Sequence, residues 1–373
     1  MLISIDTRGA KLYAGTGIGT YTHQLMKNIM NLDRKNQYLF FWPGEGYDRF
    51  NGFHNIHVHL VGTKNKTFWT YDYIPHHVKK SKAQLFHIPQ NGIGLPKEKF
   101  CKYVVTVHDL IPYILPETVG YSYRERFIQE MPSIIENADI IITVSEYSKQ
   151  DIISYFGVPD KKIVVTPLAA DDIYRPINHM EAKNFIKNIY GVDREFILYL
   201  GGFSPRKNIL GLIRAYHQSL KRLKGIYDLV IVGAPKDSHG QIVSTIEQLG
   251  IKNRVIFTGF APYSHLPYFY NAASLFVYPS IYEGFGLPPL EAMSCGCPTI
   301  TSNLTSIPEV VDDAALLINP YDIDALTEAI VQVLEDKKLS MELIVKGLKR
   351  ASQFSWENTA KNTLKVYEAL LKV

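Results

Sequence analysis

Two glutamates flank a turn rich in glycine and proline at residues 283–291, which read Glu283-Gly-Phe-Gly-Leu-Pro-Pro-Leu-Glu291. Glycines allow a turn to expose its amides, and prolines suit the first turn of a helix, whose N-terminal amides favour a phosphate or hydroxyl ligand. Two carboxylates this close are unfavourable unless each has a hydroxyl or a cation as a partner. The pattern therefore favours a ligand-binding turn over a purely structural one.

Two adjacent cations, Arg206 and Lys207, follow the apolar run Phe196–Leu200 in the segment Gly-Gly-Phe-Ser-Pro-Arg-Lys-Asn. A guanidinium fork and a lysine point charge at the end of a parallel strand can bind one diphosphate. Cations are disfavoured at a helix N-terminus, so this pair calls for a compensating anion. The alternative is a solvated helix start.

Candidate residues in the first half also follow predicted strands. Gly17 lies in the turn Gly15-Thr-Gly-Ile-Gly19, which predicts either a phosphate-binding helix start or simply a tight turn. The pair His108-Asp109 follows the run Val104–Val107, and Ser145 follows Ile140–Val144. A histidine at a strand end is a candidate for catalysis, whereas Ser145 is equally well explained as a helix cap.

The elements that position these residues are short, continuous apolar runs separated by segments of helical periodicity. Continuous runs are typical of strands buried on both faces of a parallel sheet. They predict strands at Leu2–Ile5, Tyr38–Phe41, Val104–Val107, Ile140–Val144, Ile163–Val165, Phe196–Leu200, Leu229–Val232, Val255–Phe257, Leu275–Val277 and Thr299–Thr301. After Thr301 the strands are predicted to end, and three helices follow, at Ile323–Leu334, Met341–Ala351 and Trp356–Leu371.

This rhythm predicts two consecutive doubly wound α/β domains, as the length of 373 residues also suggests. The polar stretch Ala169–Arg194 interrupts the strands and contains Pro176. We expect a linker at Asp171–Asn178, a first domain over residues 1–175, a second over 176–354, and part of 355–373 packing on the first.

Composition excludes several classes of protein. The formal net charge of +4 is too small to favour nucleic acid as a partner. Residues 1–170 hold 19 Lys and Arg against 15 Asp and Glu, so an anionic partner, if the protein has one, should bind this half. The cysteines Cys101, Cys295 and Cys297 indicate neither a disulfide framework nor a zinc site, and no apolar run predicts a signal peptide or a membrane span. These features predict a soluble or peripheral protein of a reducing cytoplasm.

Taken together, the spaced glutamates, the Pro205-Arg-Lys-Asn208 segment and the early Gly-Ile-Gly resemble glycosyltransferase family 4 over nearly the whole chain. The resemblance implies the GT-B architecture, in which two Rossmann-like domains face a cleft and a C-terminal helix crosses back to the first domain. It also implies a nucleoside diphosphate sugar as the donor substrate, retention of anomeric configuration, and neither a cofactor nor a catalytic metal.

Residue roles follow from the same resemblance. The catalytic set is expected to be His108, Glu283, Arg206 and Lys207. Donor contacts are expected from Gly17, Arg206 and Lys207, with Glu283 at the sugar hydroxyls, Glu291 at the ribose and the amides of Phe285, Gly286 and Leu287 at the sugar and diphosphate. Asp109 and Ser145 are candidates on the acceptor side. One departure is Gly202, where many family members have an arginine that Arg206 is expected to replace.

The segments Ile88–Gly92 and His108–Pro112 resemble bacterial-type mannosyltransferases of surface polysaccharide synthesis. We therefore expect transfer of mannose from GDP-mannose to a glycan or lipid-linked glycan. The alternatives are a UDP-sugar-dependent glucosyl- or N-acetylglucosaminyl-type transferase, a nucleotide-sugar epimerase and a noncatalytic sugar-nucleotide binding protein.

Basic and aromatic residues alternate between Lys64 and Lys82. Such a segment can contact an anionic membrane surface or a lipid-diphosphate acceptor. The alternative is a solvated helix whose aromatic residues lie in the core. If the segment contacts lipid, we expect the protein to lie in the cytoplasm with peripheral contact at the inner face of the membrane.

Overall fold

The computed structural model describes residues 1–235 and 238–372. The chain divides into two compact units, Met1–Leu168 together with the C-terminal residues from Ser355, and Ala169–Phe354. Within the described residues, each unit is built on one sheet in which every strand pair is parallel.

The first unit contains strands β1 (Leu2–Ile5), β2 (Gln37–Pro43), β3 (Ile56–Val61), β4 (Leu85–Ile88), β5 (Lys102–Thr106), β6 (Ile140–Thr143) and β7 (Ile163–Val165). Their order in the sheet is β3-β2-β1-β4-β5-β6-β7. The order reverses direction at β1 and β4, the type of position where open α/β sheets bind ligands. Its α-helices are Gly9–Leu12, Gly17–Leu32, Lys66–Phe68, Ile74–Lys80, Ile111–Ile114, Tyr121–Asn137, Glu146–Phe156 and Trp356–Leu371.

The second unit contains β8 (Glu195–Leu200), β9 (Tyr227–Val232), β10 (Val255–Gly259), β11 (Leu275–Tyr278), β12 (Thr299–Ser302) and β13 (Leu316–Ile318), in the order β10-β9-β8-β11-β12-β13. Here the order reverses at β8 and β11. Its α-helices are His179–Tyr190, Ile209–Ser219, His239–Gln248, Leu266–Ala272, Leu287–Ser294, Ile307–Val311, Ile323–Glu335 and Lys337–Ala351.

The predicted doubly wound α/β class is confirmed, but the prediction that strands end after Thr301 is wrong. β13 pairs with β12 through Leu316 to Ile318 at the sheet edge, and three residues are too short a run to stand out in the sequence. Two further strands were not predicted, β3 and β4. In both, histidines interrupt the apolar run that indicates a buried strand.

The C-terminal helix Trp356–Leu371 belongs to the first unit. Its Tyr367 hydroxyl lies 2.5 Å from Nδ1 of the buried His87 on β4, and Thr359 Oγ1 donates to the Pro167 carbonyl at 2.6 Å. The helix also packs against Gly17–Leu32, where the rings of Trp356 and Tyr21 have centroids 6.2 Å apart. The predicted packing of this helix on the first domain is confirmed.

Candidate active site

In the second unit, the loops that follow β8 and β11 meet because these strands are neighbours in the sheet. The β8 loop carries Arg206 and Lys207 in the short 3-10 turn Pro205–Lys207, and the β11 loop carries Ser280 and Glu283. The Arg206 carbonyl joins the two loops by accepting from the Ile281 amide at 2.7 Å. Residues 77 positions apart in sequence are thus held side by side.

Glu283 is buried, and its Oε1 atom accepts four hydrogen bonds. Lys207 Nζ and Ser280 Oγ each lie 2.5 Å away, Tyr278 hydroxyl 2.9 Å and Arg206 NH1 3.1 Å. Burial raises the pKa of Glu283, but the two cations and the hydrogen bonds outweigh it and lower the pKa to about 2. The carboxylate is therefore ionised at neutral pH. It is the compensating anion that the sequence predicts for Arg206 and Lys207.

Lys207 is as buried as its partner. Its Nζ also contacts the Tyr278 hydroxyl and lies 4.9 Å from the centre of the Tyr278 ring. Arg206 NH1 donates to the Tyr282 carbonyl at 2.9 Å in addition to Glu283. Both cations are thus fixed by hydrogen bonds and ion pairs within the protein, which is how a site avoids reorganisation during a reaction.

Gly202, the departure noted in the sequence, lies at the start of the same β8 loop. Among the described residues, its chain neighbours aside, no heavy atom lies within 4 Å of the position a Cβ would take there. The structure therefore leaves open space where many family members are expected to carry an arginine.

The turn after Glu283 leads directly into the helix Leu287–Ser294. Gly286 caps this helix with φ +105°, a conformation that favours glycine, and Phe285 packs edge-on against Phe354 with ring centroids 5.9 Å apart. Within residues 1–235 and 238–372, the amides of Phe285, Gly286 and Leu287 donate to no protein acceptor. Three consecutive amides are thus available to an anion or hydroxyl.

Glu291 lies one turn into this helix in an environment unlike that of Glu283. Its Oε2 accepts from the Tyr270 hydroxyl at 2.9 Å. Burial raises the pKa of Glu291 to about 7, although the hydrogen bond from Tyr270 opposes the shift. Each glutamate thus has a hydroxyl partner, and Glu283 also has two cations.

In the first unit, the loops after β1, β4 and β5 lie at one edge of the sheet. His108 follows β5 and is buried, with its main-chain amide donating to Asn91 Oδ1 at 2.8 Å. Its Nε2 lies 2.9 Å from the Pro89 carbonyl, and since a carbonyl only accepts, Nε2 carries the proton. Burial lowers the pKa of His108 to about 4. The ring is therefore neutral at pH 7, with Nδ1 as its acceptor atom.

The remaining predicted residues of the first unit are placed as follows. Asp109 Oδ1 accepts from the Ile111 amide at 3.0 Å, which fixes the loop after His108. Ser145 Oγ accepts from the Ser148 amide at 3.0 Å and caps the helix Glu146–Phe156. Gly17 begins the helix Gly17–Leu32, whose cap Thr16 accepts from the Gly19 amide. A Cβ on Gly19 would lie 2.0 Å from the Tyr13 carbonyl oxygen, so this position requires glycine.

Sequence reasoning missed several residues that hold the site. Tyr278 and Ser280 bind Glu283, Tyr270 binds Glu291, and Asn91 positions His108. Their signal in the sequence is position alone, because each lies at a strand end or on a helix facing a predicted site residue.

Comparisons with known proteins decide the family. Residues 15–172 match the family described as Glycosyltransferase Family 4, and residues 181–350 match Glycosyl transferases group 1. The chain is 38% identical over 292 residues to O-antigen chain mannosyltransferase B of Escherichia coli, covering 78% of this chain and 75% of that protein. The chain belongs to glycosyltransferase family 4.

Two further similarities extend this finding. The family 4 chain is 34% identical over 292 residues to the serotype-specific mannosyltransferase WbdA of Escherichia coli, covering 77% of this chain and about a third, 36%, of that protein. Its fold resembles that of sucrose-phosphate synthase from Thermosynechococcus elongatus, with a TM-score of 0.76, 20% identity and coverage of 100% and 99% of the two chains. The predicted GT-B fold is confirmed.

Two other kinds of site have no candidate in the part of the chain that the structure describes. No group of three or more His, Cys, Asp or Glu residues there could hold a metal ion. No helix there is long and apolar enough to cross a membrane. Cys295 and Cys297 are free thiols packed in the core of the second unit.

Proposed function

We propose that this family 4 glycosyltransferase is a retaining mannosyltransferase that transfers mannose from GDP-mannose to a hydroxyl of a glycan or lipid-linked glycan. The observation that carries the proposal is the 38% identity to an O-antigen chain mannosyltransferase over three quarters of that protein. The specific donor and acceptor are parts of the proposal.

The donor is proposed to bind at the carboxyl ends of β8 and β11. Arg206 and Lys207 are adjacent, fixed cations suited to a diphosphate, and the amides of Phe285, Gly286 and Leu287 can bind its oxygens or the sugar. Glu291 would accept hydrogen bonds from the ribose, and Glu283 from the sugar hydroxyls. Gly17, at a helix start in the first unit, is proposed as a further donor contact.

The chemical step is proposed to begin with departure of the nucleoside diphosphate from an oxocarbenium-like sugar. Lys207 and Arg206 lower the pKa of Glu283 to about 2, and so weakly basic a carboxylate is a poor nucleophile for a covalent sugar intermediate. We therefore propose that a leaving phosphate oxygen takes the proton of the acceptor hydroxyl, which attacks on the same face. Arg206 and Lys207 would stabilise the charge that develops on the leaving group.

The acceptor is proposed to bind at the carboxyl edge of the first sheet. His108 is the catalytic candidate there because its Nδ1 can accept a hydrogen bond from a hydroxyl at neutral pH. Asp109 and Ser145 remain acceptor-side candidates, although Asp109 fixes a loop and Ser145 caps a helix.

Peripheral contact with the inner face of the cytoplasmic membrane is proposed through residues 64–82. Phe68 and Tyr71 in this segment are exposed and could contact lipid, whereas Trp69 and Tyr73 pack against the core. Each of the two interpretations of the segment therefore fits some of its residues. Flotation with and without anionic lipid tests the proposal, and equal flotation in both would reject it.

The donor is tested by thermal shift with GDP, UDP, ADP and dTDP and their common sugar conjugates, because selective binding raises stability by mass action. We expect a GDP-selective shift that is larger for GDP-mannose, and radiolabelled mannose transfer to acceptor glycans. A UDP-selective shift would overturn the donor assignment. Donor conversion without any acceptor would indicate an epimerase instead.

A further inference from the structure

The first unit contains a cavity of about 590 Å³ beside the loop that follows β4. Its walls come from the turn Trp69–Tyr73 with the helix after it, from residues 94–97, and from the helix Tyr121–Asn137. Tyr71 and Leu95 give it apolar surface, and Lys97, Arg126 and Glu130 give it charge. None of these residues belongs to the predicted catalytic or donor site.

Hydrogen bonds fix the polar wall of this cavity. Glu130 accepts from the Tyr71 hydroxyl and, through Oε2, from the Gly94 amide at 3.0 Å. Gly94 has φ +91°, and a Cβ there would lie 2.3 Å from Thr70 Cγ2, so this position requires glycine. Thr70 is in turn held by Arg8, whose NH1 donates to Thr70 Oγ1 at 2.9 Å. The loop and the aromatic turn are thus locked together.

The cations of the cavity, Lys97 and Arg126, are exposed, and neither pairs with a carboxylate among the residues that the structure describes. Nearby lysines are paired, since Lys79 binds Glu98 at 2.6 Å and Lys99 binds Asp139 at 2.9 Å. Glu130 lines the same cavity but is occupied by Tyr71 and Gly94. Burial and Glu130 raise the pKa of the Tyr71 hydroxyl, and the nearby positive charge of Arg126 partly opposes this shift.

A guanidinium and an ammonium that share one cavity suit a phosphoryl group, because together they offer a planar fork and a point charge. An aromatic ring beside them supplies a surface for the apolar face of a sugar. We propose that this cavity binds a phosphorylated saccharide, with the phosphoryl group at Lys97 and Arg126 and the sugar against Tyr71. As a subsite for the acceptor, it rests on the proposed function; as a ligand site, it stands independently.

The test is calorimetric titration of the full chain with mannose 1-phosphate, mannose and inorganic phosphate, in the presence of saturating GDP to fill the donor site. We expect mannose 1-phosphate to bind most tightly and its affinity to fall with added salt. Lys97→Gln and Arg126→Gln should each weaken it about tenfold, the size of one charged hydrogen bond. Lys35→Gln, an exposed lysine in the loop between the helix Gly17–Leu32 and β2, is the matched control and should change nothing.

Three results would overturn the proposal. The first is unchanged affinity in the Lys97→Gln/Arg126→Gln double variant. The second is equal binding of mannose and mannose 1-phosphate. The third is binding of vesicles containing anionic phospholipid that requires both cations while mannose 1-phosphate does not bind, because the cavity would then recognise a lipid headgroup.

Failure of the proposed function gives a different result. If GDP produces no thermal shift, the donor assignment fails, whereas loss of mannose 1-phosphate binding in the cavity variants still supports the site. Conversely, intact GDP binding in the double variant with unchanged mannose 1-phosphate affinity rejects the cavity alone. Both substituted side chains are exposed, so the variants should retain the wild-type melting temperature.

Discussion

Lys207 Nζ lies 2.5 Å from Glu283 Oε1, and this ion pair is buried. The pair keeps a cation inside a site that the sequence predicts to bind an anion. Before a donor binds, Glu283 provides the negative charge that Lys207 and Arg206 require. We therefore infer that Glu283 organises both cations in addition to its proposed contact with the sugar.

Glu283→Gln should keep the fold and lose most turnover, by about 10²- to 10³-fold, because an amide neither carries charge nor orients two cations. Transfer assays with circular dichroism of the same samples check this. Glu328→Gln, which removes a surface ion pair with Arg222, is the control and should retain activity. Turnover near the wild-type value would remove Glu283 from the active site.

The acid stability of the protein should depend on the same carboxylate. The pKa of Glu283 falls from 4.5 to about 2 on folding, so its ionisation stabilises the native state above pH 4.5 and this contribution is lost as the pH falls towards 2. The shift corresponds to about 3 kcal/mol in the free energy of unfolding. Urea unfolding of wild type and Glu283→Gln at pH 6, 4 and 3 should show a shallower loss for the variant. Parallel losses would contradict the assignment.

Much of the fold follows from the sequence because buried parallel strands read as continuous apolar runs. Leu2–Ile5 and Ile163–Val165 have the predicted bounds, as does the helix Trp356–Leu371. β4 is not predicted in this way because its third residue, the fully buried His87, interrupts the apolar run. The hydrogen-bond partners of His87 come from other elements, namely Thr106 on β5 and Tyr367 on the last helix.

For the candidate site, the sequence predicts the types of residue but not their environments. Glycines, cations and glutamates at strand ends indicate a ligand site whatever their exact contacts. The different pKa directions of Glu283 and Glu291 depend on Lys207 and on Tyr270, which come from other elements. Such a difference requires the three-dimensional arrangement of the second sheet.

Nucleoside diphosphate affinity should depend on pH through Glu291. Its pKa of about 7 means that it is half protonated near neutrality, and ribose hydroxyls bind better to the carboxylate. The dissociation constant of GDP should therefore fall as the pH rises from 6 to 8. Calorimetry across this range should show the trend in wild type and a flat profile in Glu291→Gln. An identical trend in the variant would place the titrating group elsewhere.

The position of His108 depends on Asn91, which links the loops after β4 and β5 to the helix Tyr121–Asn137. Asn91 Oδ1 accepts from the His108 amide at 2.8 Å, and its Nδ2 donates to the Tyr123 hydroxyl at 2.9 Å. Asn91→Ala removes both bonds and leaves the buried His108 amide without its acceptor, at a cost of about 1–3 kcal/mol. We expect kcat to fall about tenfold, because small misplacements of a catalytic group are costly.

The same substitution separates catalysis from donor binding, because Asn91 lies in the first unit and the proposed donor cations in the second. The GDP dissociation constant of Asn91→Ala should match that of wild type while kcat falls. Asn28→Ala is the control, since the bond that Asn28 Nδ2 makes to the described residues lies within its own helix, to the Gln24 carbonyl at 2.8 Å. Equal kcat in both variants would exclude His108 positioning as a requirement for turnover. A matching fall in GDP affinity would instead indicate a general loss of structure.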